Sequence, residues 1–256
     1  MLIDTHTHLF LEQFAADDEQ VIESAVTNGV ERFYLPNIDS STYDSMMAFV
    51  GKYPGRCYPL IGLHPCSVKE DFETELDFIR EKLSKQTFNG IGETGIDLYW
   101  DKTNLDNQIT AFTSQIQLAK ENKLPVIIHC RESFNEVFEV ISKCNDESLF
   151  GIFHCFTGSV KQAQDVISLG GFKMGIGGVL TFKNGGLDQT VKEIDLKHLV
   201  LETDSPYLAP APYRGKRNES SYLKIIAERL AEIKEKSLEE VAAITTENAN
   251  MVFCQL

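Results

Sequence analysis

A chain of 256 residues with 43% hydrophobic and 24% charged side chains has the make-up of a soluble globular protein and the length of one (β/α) barrel. Its formal net charge of −14 argues against a duplex-DNA binder that grips through a broad basic face. No stretch approaches the ~20 apolar residues of a membrane span; six cysteines without short regular spacing do not form a disulfide framework; and no basic-then-apolar leader follows Met1, so a cytoplasmic protein is expected.

Short apolar, β-rich runs alternate with amphipathic stretches along the chain. Leu2–His8 reads as a first strand, and Asp17–Asn28 as a helix with Val21, Ile22, Ala25 and Val26 at helical spacing, stopped by Gly29. Arg32–Leu35 is a second strand with a helix over 41–50. Cys57–Leu63 is a third, with a helix over 72–83. Phe88–Glu93 is a fourth, followed by a long loop and a helix over 105–121. Pro125–His129 and Leu149–His154 are the fifth and sixth, with helices over 133–143 and from about Ser159 to Leu169. Gly171–Gly178 is a glycine-rich seventh strand, followed by a short helix over 187–191, and His198–Asp204 is the eighth. Residues 221–253 read as helical and would cover the barrel's exterior or floor. Eight strands, each followed by a helix or loop, favour a closed α/β (β/α)8 TIM barrel, one domain over residues 1–256.

Five of these runs finish on metal-ligand side chains: His6 and His8, Glu93, His129, His154, and Glu202 with Asp204. Parallel barrel strands deliver their C-terminal ends to one rim, so ligands far apart in sequence meet there. Four histidines and two carboxylates, Glu93 and Asp204, exceed one ion's needs and suit two ions sharing a bridging group, which points to a dinuclear metallohydrolase. Strand alternation turns His6 and His8 to one face, places Glu202 and Asp204 together with Thr203 turned away, and turns Cys130 and Cys155 from the ligand face. His64, in Gly62-Leu63-His64-Pro65, is expected to act on substrate or on a supporting carboxylate rather than as a ligand. His198, at the start of its strand, is expected to be structural. Arg131 and the run Arg214-Gly215-Lys216-Arg217 are candidates for a phosphate clamp on the same rim.

The stretches Ile3-Asp4-Thr5-His6-Thr7-His8, Gly62-Leu63-His64-Pro65, Gly92-Glu93-Thr94-Gly95-Ile96-Asp97, Val126-Ile127-Ile128-His129-Cys130-Arg131, His154-Cys155-Phe156-Thr157-Gly158, Leu201-Glu202-Thr203-Asp204-Ser205-Pro206-Tyr207 and Arg214-Gly215-Lys216-Arg217-Asn218-Glu219 occur in order along nearly the whole chain. Together they resemble the TatD-type metal-dependent deoxyribonuclease family. That resemblance implies a (β/α) barrel, with His6, His8, Glu93, His129, His154 and Asp204 as metal ligands and Glu93 bridging. Thr94 and Tyr213 depart from residues common in the family at those places. The implied cofactors are two divalent ions, magnesium, manganese or zinc, one on His6, His8 and Asp204 and the other on His129 and His154. The implied reaction is phosphodiester hydrolysis, 3′-5′ exonuclease-like, on DNA that is single-stranded or frayed, by a monomer. Asp204 would accept the proton of the attacking water, Glu202 being a second candidate or an orienting group, and His64, Arg131, Arg214, Lys216 and Arg217 would contact substrate. A D-aminoacyl-tRNA deacylase, or a barrel hydrolase of other esters or phosphotriesters, needs the same activated water. Many of the latter bridge their metals with a modified lysine where this chain has Glu93. A non-enzymatic nucleic-acid module fits poorly with the acidic charge.

Overall fold

The computed structural model describes residues 1–183 and 185–254. Its eight strands are β1 (Leu2–Asp4), β2 (Val30–Pro36), β3 (Cys57–Leu60), β4 (Ile91–Asp97), β5 (Val126–Arg131), β6 (Gly151–Phe153), β7 (Phe172–Ile176) and β8 (Leu199–Leu201). Every pairing is parallel, in two runs ordered β1-β2-β3 and β4-β5-β6-β7-β8. Two seams close the ring. Thr5 N–H donates to the Leu201 carbonyl at 3.1 Å and Asp204 N–H to that of His6 at 2.9 Å. At the other seam Ile61 bridges Ile91, with Gly92 N–H donating to the Ile61 carbonyl at 2.8 Å.

The helices between strands are α1 (Asp18–Thr27), α2 (Tyr43–Lys52), α3 (Phe72–Lys85), α4 (Leu105–Asn122), α5 (Phe134–Cys144), α6 (Val160–Ser168) and α7 (Leu187–Glu193). Ser159 caps α6 in a reciprocal capping box with Gln162. Alternation along the strands sorts two cores. Ile128, Phe153 and Leu201 face out and pack under the helices. Ile3, Tyr34, Leu60, Ile127, Ile152 and Val200 form a separate buried cluster, joined by Ala249, Val252 and Phe253. Those three come from α9 (Leu238–Phe253), which follows α8 (Leu223–Lys234); the Phe253 ring stacks on Tyr34 at 3.6 Å. The C-terminal helix therefore stoppers one end of the barrel, and the ligand-bearing rim lies at the other.

Strand ends shift from the sequence reading, and three of the shifts shape the ligand segments. β1 stops at Asp4, before His6 and His8, because the Asp4 carboxylate is occupied by Thr203 across the seam. β4 runs on through Glu93 to Asp97 rather than ending at Glu93. β8 stops at Leu201, and Asp204 takes a left-handed conformation at φ 58°, so alternation does not hold over Glu202–Asp204.

Candidate metal centre

The inward face of the strands continues past the apolar layer into the ligand layer at intervals of two residues: Ile127 to His129, Ile152 to His154, Val200 to Glu202. Cys130 and Cys155 fall on the alternate register, and neither belongs to a cluster of ligating atoms among the described residues. Burial raises both thiols, Cys130 to about 11, so neither is a ready thiolate.

Glu93 sits at the centre, almost fully buried, and its two oxygens face different partners. Oε2 lies 3.1 Å from His6 Nε2 and 3.6 Å from His8 Nε2. Oε1 lies 2.6 Å from His129 Nδ1, 3.5 Å from His64 Nε2 and 3.7 Å from His154 Nε2. Asp204 Oδ1 stands 3.6 Å from His8 Nε2, 3.8 Å from His6 Nε2 and 3.9 Å from His154 Nε2. The six residues named as ligands therefore converge.

The His6 and His8 Nε2 atoms are 3.2 Å apart, and with Glu93 Oε2 they form a triangle of 3.1–3.6 Å edges. Donors about 2.1 Å from a shared cation are separated by roughly 3.0–3.5 Å, so this triangle matches one ion's coordination face. The chemistry of the set, imidazole nitrogens around acceptor-only carboxylates, also suits a divalent cation. Among the described residues, three groupings have ligating atoms within mutual reach: His6, His8 and Glu93; His64, Glu93 and His129; and His6, His154 and Glu202. His64 thus stands beside His129 as a potential ligand, closer in than the sequence reading placed it. Its own Nδ1 accepts the Cys66 N–H at 3.0 Å, which aims Nε2 at Glu93.

Electrostatically the cluster is tightly coupled. Burial alone would push the Glu93 carboxyl up, but His6, His64, His154 and His129 hold it well below the usual carboxylate range. Burial likewise opposes charge on His8 and His154, yet the carboxylates override it and raise His8 to about 9 and His154 to about 10.

Behind the ligands lies a layer of carboxylates that hold the rings. His129 presents Nδ1 to Glu93 because Nε2 is held by Asp97 Oδ2 at 2.9 Å. Asp97 in turn accepts the N–H groups of Tyr99 and Trp100, which helps keep its carboxyl low, at about 2, against the pull of burial. Glu202 plays the same part for His154: Oε1 is 2.9 Å from Nδ1 and accepts the Cys155 N–H at 2.5 Å. Of the two roles open to Glu202, the geometry fits orientation, since it is fully buried behind the ring. Asp4 accepts from Thr203 N–H and Oγ1 and from Ser220 Oγ; burial, outweighing these bonds, raises it to about 7.

Sequence reasoning assigned no role to Asp97 or to Gly175. The even offset from Glu93 to Asp97 along one strand was the available signal for the first. Gly175 had none: a Cβ there would stand 2.0 Å from Glu202 Oε2, so the glycine of β7 makes the space that Glu202 fills.

The basic side chains named for a phosphate clamp each face a partner of their own. Arg217 spends its guanidinium on Asp17, with bonds of 2.8 and 2.6 Å, on Glu219 at 2.9 Å and on the Gln13 carbonyl at 2.6 Å. It fastens the β8–α8 segment to the start of α1 instead of serving as a clamp, because two acidic side chains outcompete any external anion for its fork. Arg214 lies over the Phe182 ring at 4.1 Å, and Lys216 faces Tyr213 at 5.8 Å. Arg131 lies over Tyr99 at 3.8 Å. A cavity of about 410 Å³ opens beside His154, between the start of α5 and the β6–α6 loop.

The model of the TatD-related DNase family matches residues 3–254. The chain belongs to that family. The metal-dependent hydrolase YabD of Bacillus subtilis is 43% identical, over 99% of this chain and 99% of its own. The 3′-5′ ssDNA/RNA exonuclease TatD of Yersinia pseudotuberculosis is 30% identical, over 98% of this chain and 99% of its own. Among solved structures, the TatD homolog YjjV of Escherichia coli superposes with a TM-score of 0.93 at 26% identity, covering 100% of this chain and 98% of that one. This TatD-family chain is accordingly a metal-dependent hydrolase on a TIM barrel, and none of its described helices is long and apolar enough to cross a membrane.

Proposed function

We propose that the protein is a phosphodiesterase that removes nucleotides from the 3′ end of single-stranded DNA, with two divalent cations held on either side of Glu93. The observation that carries this reading is the split of the Glu93 carboxylate, one oxygen toward His6 and His8 and the other toward His129, His64 and His154. The Yersinia relative's described activity supports the substrate class. When bound, such cations supply a water of lowered pKa and offset charge on the phosphoryl oxygens.

The chain's own groups do the rest. Asp97 and Glu202 hold the His129 and His154 rings in the orientation that presents a lone pair to the site. Asp204, nearly surrounded by imidazoles yet partly open to solvent at its carboxylate, accepts the proton of the attacking water at Oδ1. Burial would lift its carboxyl, but His8, His154 and His6 together hold it below the ordinary range, so it is ionised and ready to accept. The overall charge of −14 leaves little non-specific grip on duplex DNA and favours an enzyme that engages a strand end and releases it.

The test is to load the protein in turn with magnesium, manganese and zinc, and to offer labelled single-stranded DNA, a charged D-aminoacyl-tRNA and a phosphotriester. Stepwise release of nucleotides from the 3′ end, lost in Asp204→Asn by about two or more orders of magnitude, is the expected result. Cleavage of only the tRNA ester or the phosphotriester by fully loaded protein would refute the nuclease reading.

A further inference from the structure

Trp100 is the chain's single tryptophan and, among the described residues, the most exposed large apolar side chain, 71% accessible, with Tyr99 beside it at 48%. Exposing two adjacent aromatics on a rim loop forgoes their burial energy, which is unusual without a partner. The rings are not loosely hung. Both backbone N–H groups donate to Asp97 Oδ1, at 2.9 and 3.1 Å, and Asp97 holds His129 through its other oxygen. One turn further, Asp101 accepts from Thr103 N–H and Oγ1 at 2.7 Å, pinning the loop.

The third member is Arg131. It ends β5 two residues beyond His129, on the same strand face and so about 7 Å along the strand from it. Its guanidinium lies 3.8 Å from the Tyr99 ring centre and 5.6 Å from that of Trp100, while the two rings meet edge to face at 4.9 Å. A flat cation and two perpendicular π-faces thus stand at the mouth, tied to the candidate metal centre through one carboxylate.

The geometry points to a stacking platform, Tyr99–Trp100–Arg131, that receives an unpaired nucleobase of the strand whose phosphodiester lies at Glu93. This rests on the nuclease reading and names how that substrate is held. A π-face beside a guanidinium recognises a base plane whatever its identity, as sequence-tolerant single-strand binders do. A base inside a duplex offers no free face, so the platform selects single strands and frayed ends. A protein at −14 has little to gain from phosphate contacts alone, and stacking supplies affinity without them.

Two measurements test this separately from the nuclease reading. In the first, metal-free protein is titrated with a single-stranded oligonucleotide while Trp100 emission is followed, beside a strand of equal length whose nucleotides are all abasic. Quenching by the base-bearing strand at concentrations where the abasic strand has no effect is expected. Equal response to both, or none to either, overturns the platform. In the second, kcat/KM of the metal-loaded enzyme is compared on strands with and without bases at the 3′-terminal nucleotides. Wild type is expected to prefer the base-bearing strand, and Trp100→Ala to lose that preference by about 5- to 150-fold, the equivalent of about 1–3 kcal/mol of base–aromatic stacking, with Trp100→Phe restoring most of it. A variant that keeps the wild-type preference overturns the proposal. If wild type degrades both strands equally and shows no quenching, the platform fails while the nuclease reading stands. Quenching by bases in a protein that cleaves no strand with any metal leaves the platform and removes the nuclease reading.

Discussion

Gly175 offers the most direct test of how the site is supported. Replacing it by alanine puts a methyl group 2.0 Å from Glu202 Oε2 and 2.5 Å from its carboxyl carbon, in a region with no exposed surface into which Glu202 can swing. Overpacking of this kind costs about 1–3 kcal/mol. Displacing Glu202 also breaks its ion pair with His154 and its charge-assisted bond from the Cys155 N–H, worth about 1.5–3 kcal/mol. Together these give a loss of about 2.5–6 kcal/mol and a fall in Tm of about 5–20 °C for a chain of this size. Freeing the His154 ring should further weaken metal binding about 10- to 100-fold, the usual effect of losing a ring-orienting partner. Gly177, at the same strand end, is the matched control: its Cβ would meet nothing nearer than 3.6 Å and its φ is −110°, so Gly177→Ala should be close to neutral. Calorimetric melting of the metal-free proteins and metal titration of each read both effects. Equal melting and equal metal affinity for the two variants would refute the steric argument and the role given to Glu202.

Three further outcomes follow from the site. Asp97→Asn should keep the fold but lower metal affinity about 10- to 100-fold, because His129 loses the carboxylate that fixes its ring; unchanged affinity by titration calorimetry would reject that role. Arg217→Met should lower Tm by a few degrees, from loss of about 1 kcal/mol in a partly exposed ion pair, while KM for a single strand changes less than about threefold; a large rise in KM would restore Arg217 as a phosphate contact. Cation affinity should rise with pH: His8 and His154, raised to about 9 and about 10 in the metal-free protein, hold protons through neutrality that an incoming cation must displace, so the competitor is lost as pH climbs through those values. Affinity independent of pH between 6 and 9 would contradict it.

The order of the strands and the candidate ligands near their ends were legible in the sequence because both rest on local pattern: apolar β-rich runs, helical periodicity and stop signals each act within about ten residues. His129 and His154 were placed by the simplest rule of all, alternation past Ile127 and Ile152. At β1 and β8 the chain leaves regular strand geometry before the ligands, so strict alternation does not run through them, although His6 and His8 still face one point. There the Asp4–Thr203 bond spans 199 residues, and nothing local in either segment signals it. Arg217 was misread for a related reason, since Asp17, 200 positions away, decides what its guanidinium does. His64 was placed on the rim, but its distance from Glu93 depends on how β3 and β4 approach each other. Gly62 and Gly92 permit that approach: a Cβ on Gly62 would stand 2.6 Å from the Gly92 carbonyl carbon.

The barrel's two seams lie where the candidate ligands change sheets. His6 and His8 follow β1 in the three-stranded run, and Glu93 belongs to β4 in the five-stranded run, just past the Ile61–Ile91 bridge. A cation shared by these residues would act as a rivet between two half-shells already joined by backbone hydrogen bonds, by the Asp4–Thr203 bond and by their shared apolar cluster. By mass action its occupancy would then favour the closed ring, by about 2.7 kcal/mol at a hundredfold excess over Kd. Cation uptake and closure of the barrel would be a single linked equilibrium, and slowed amide exchange at Thr5, Ile61, Gly92 and Asp204 would be its local signature.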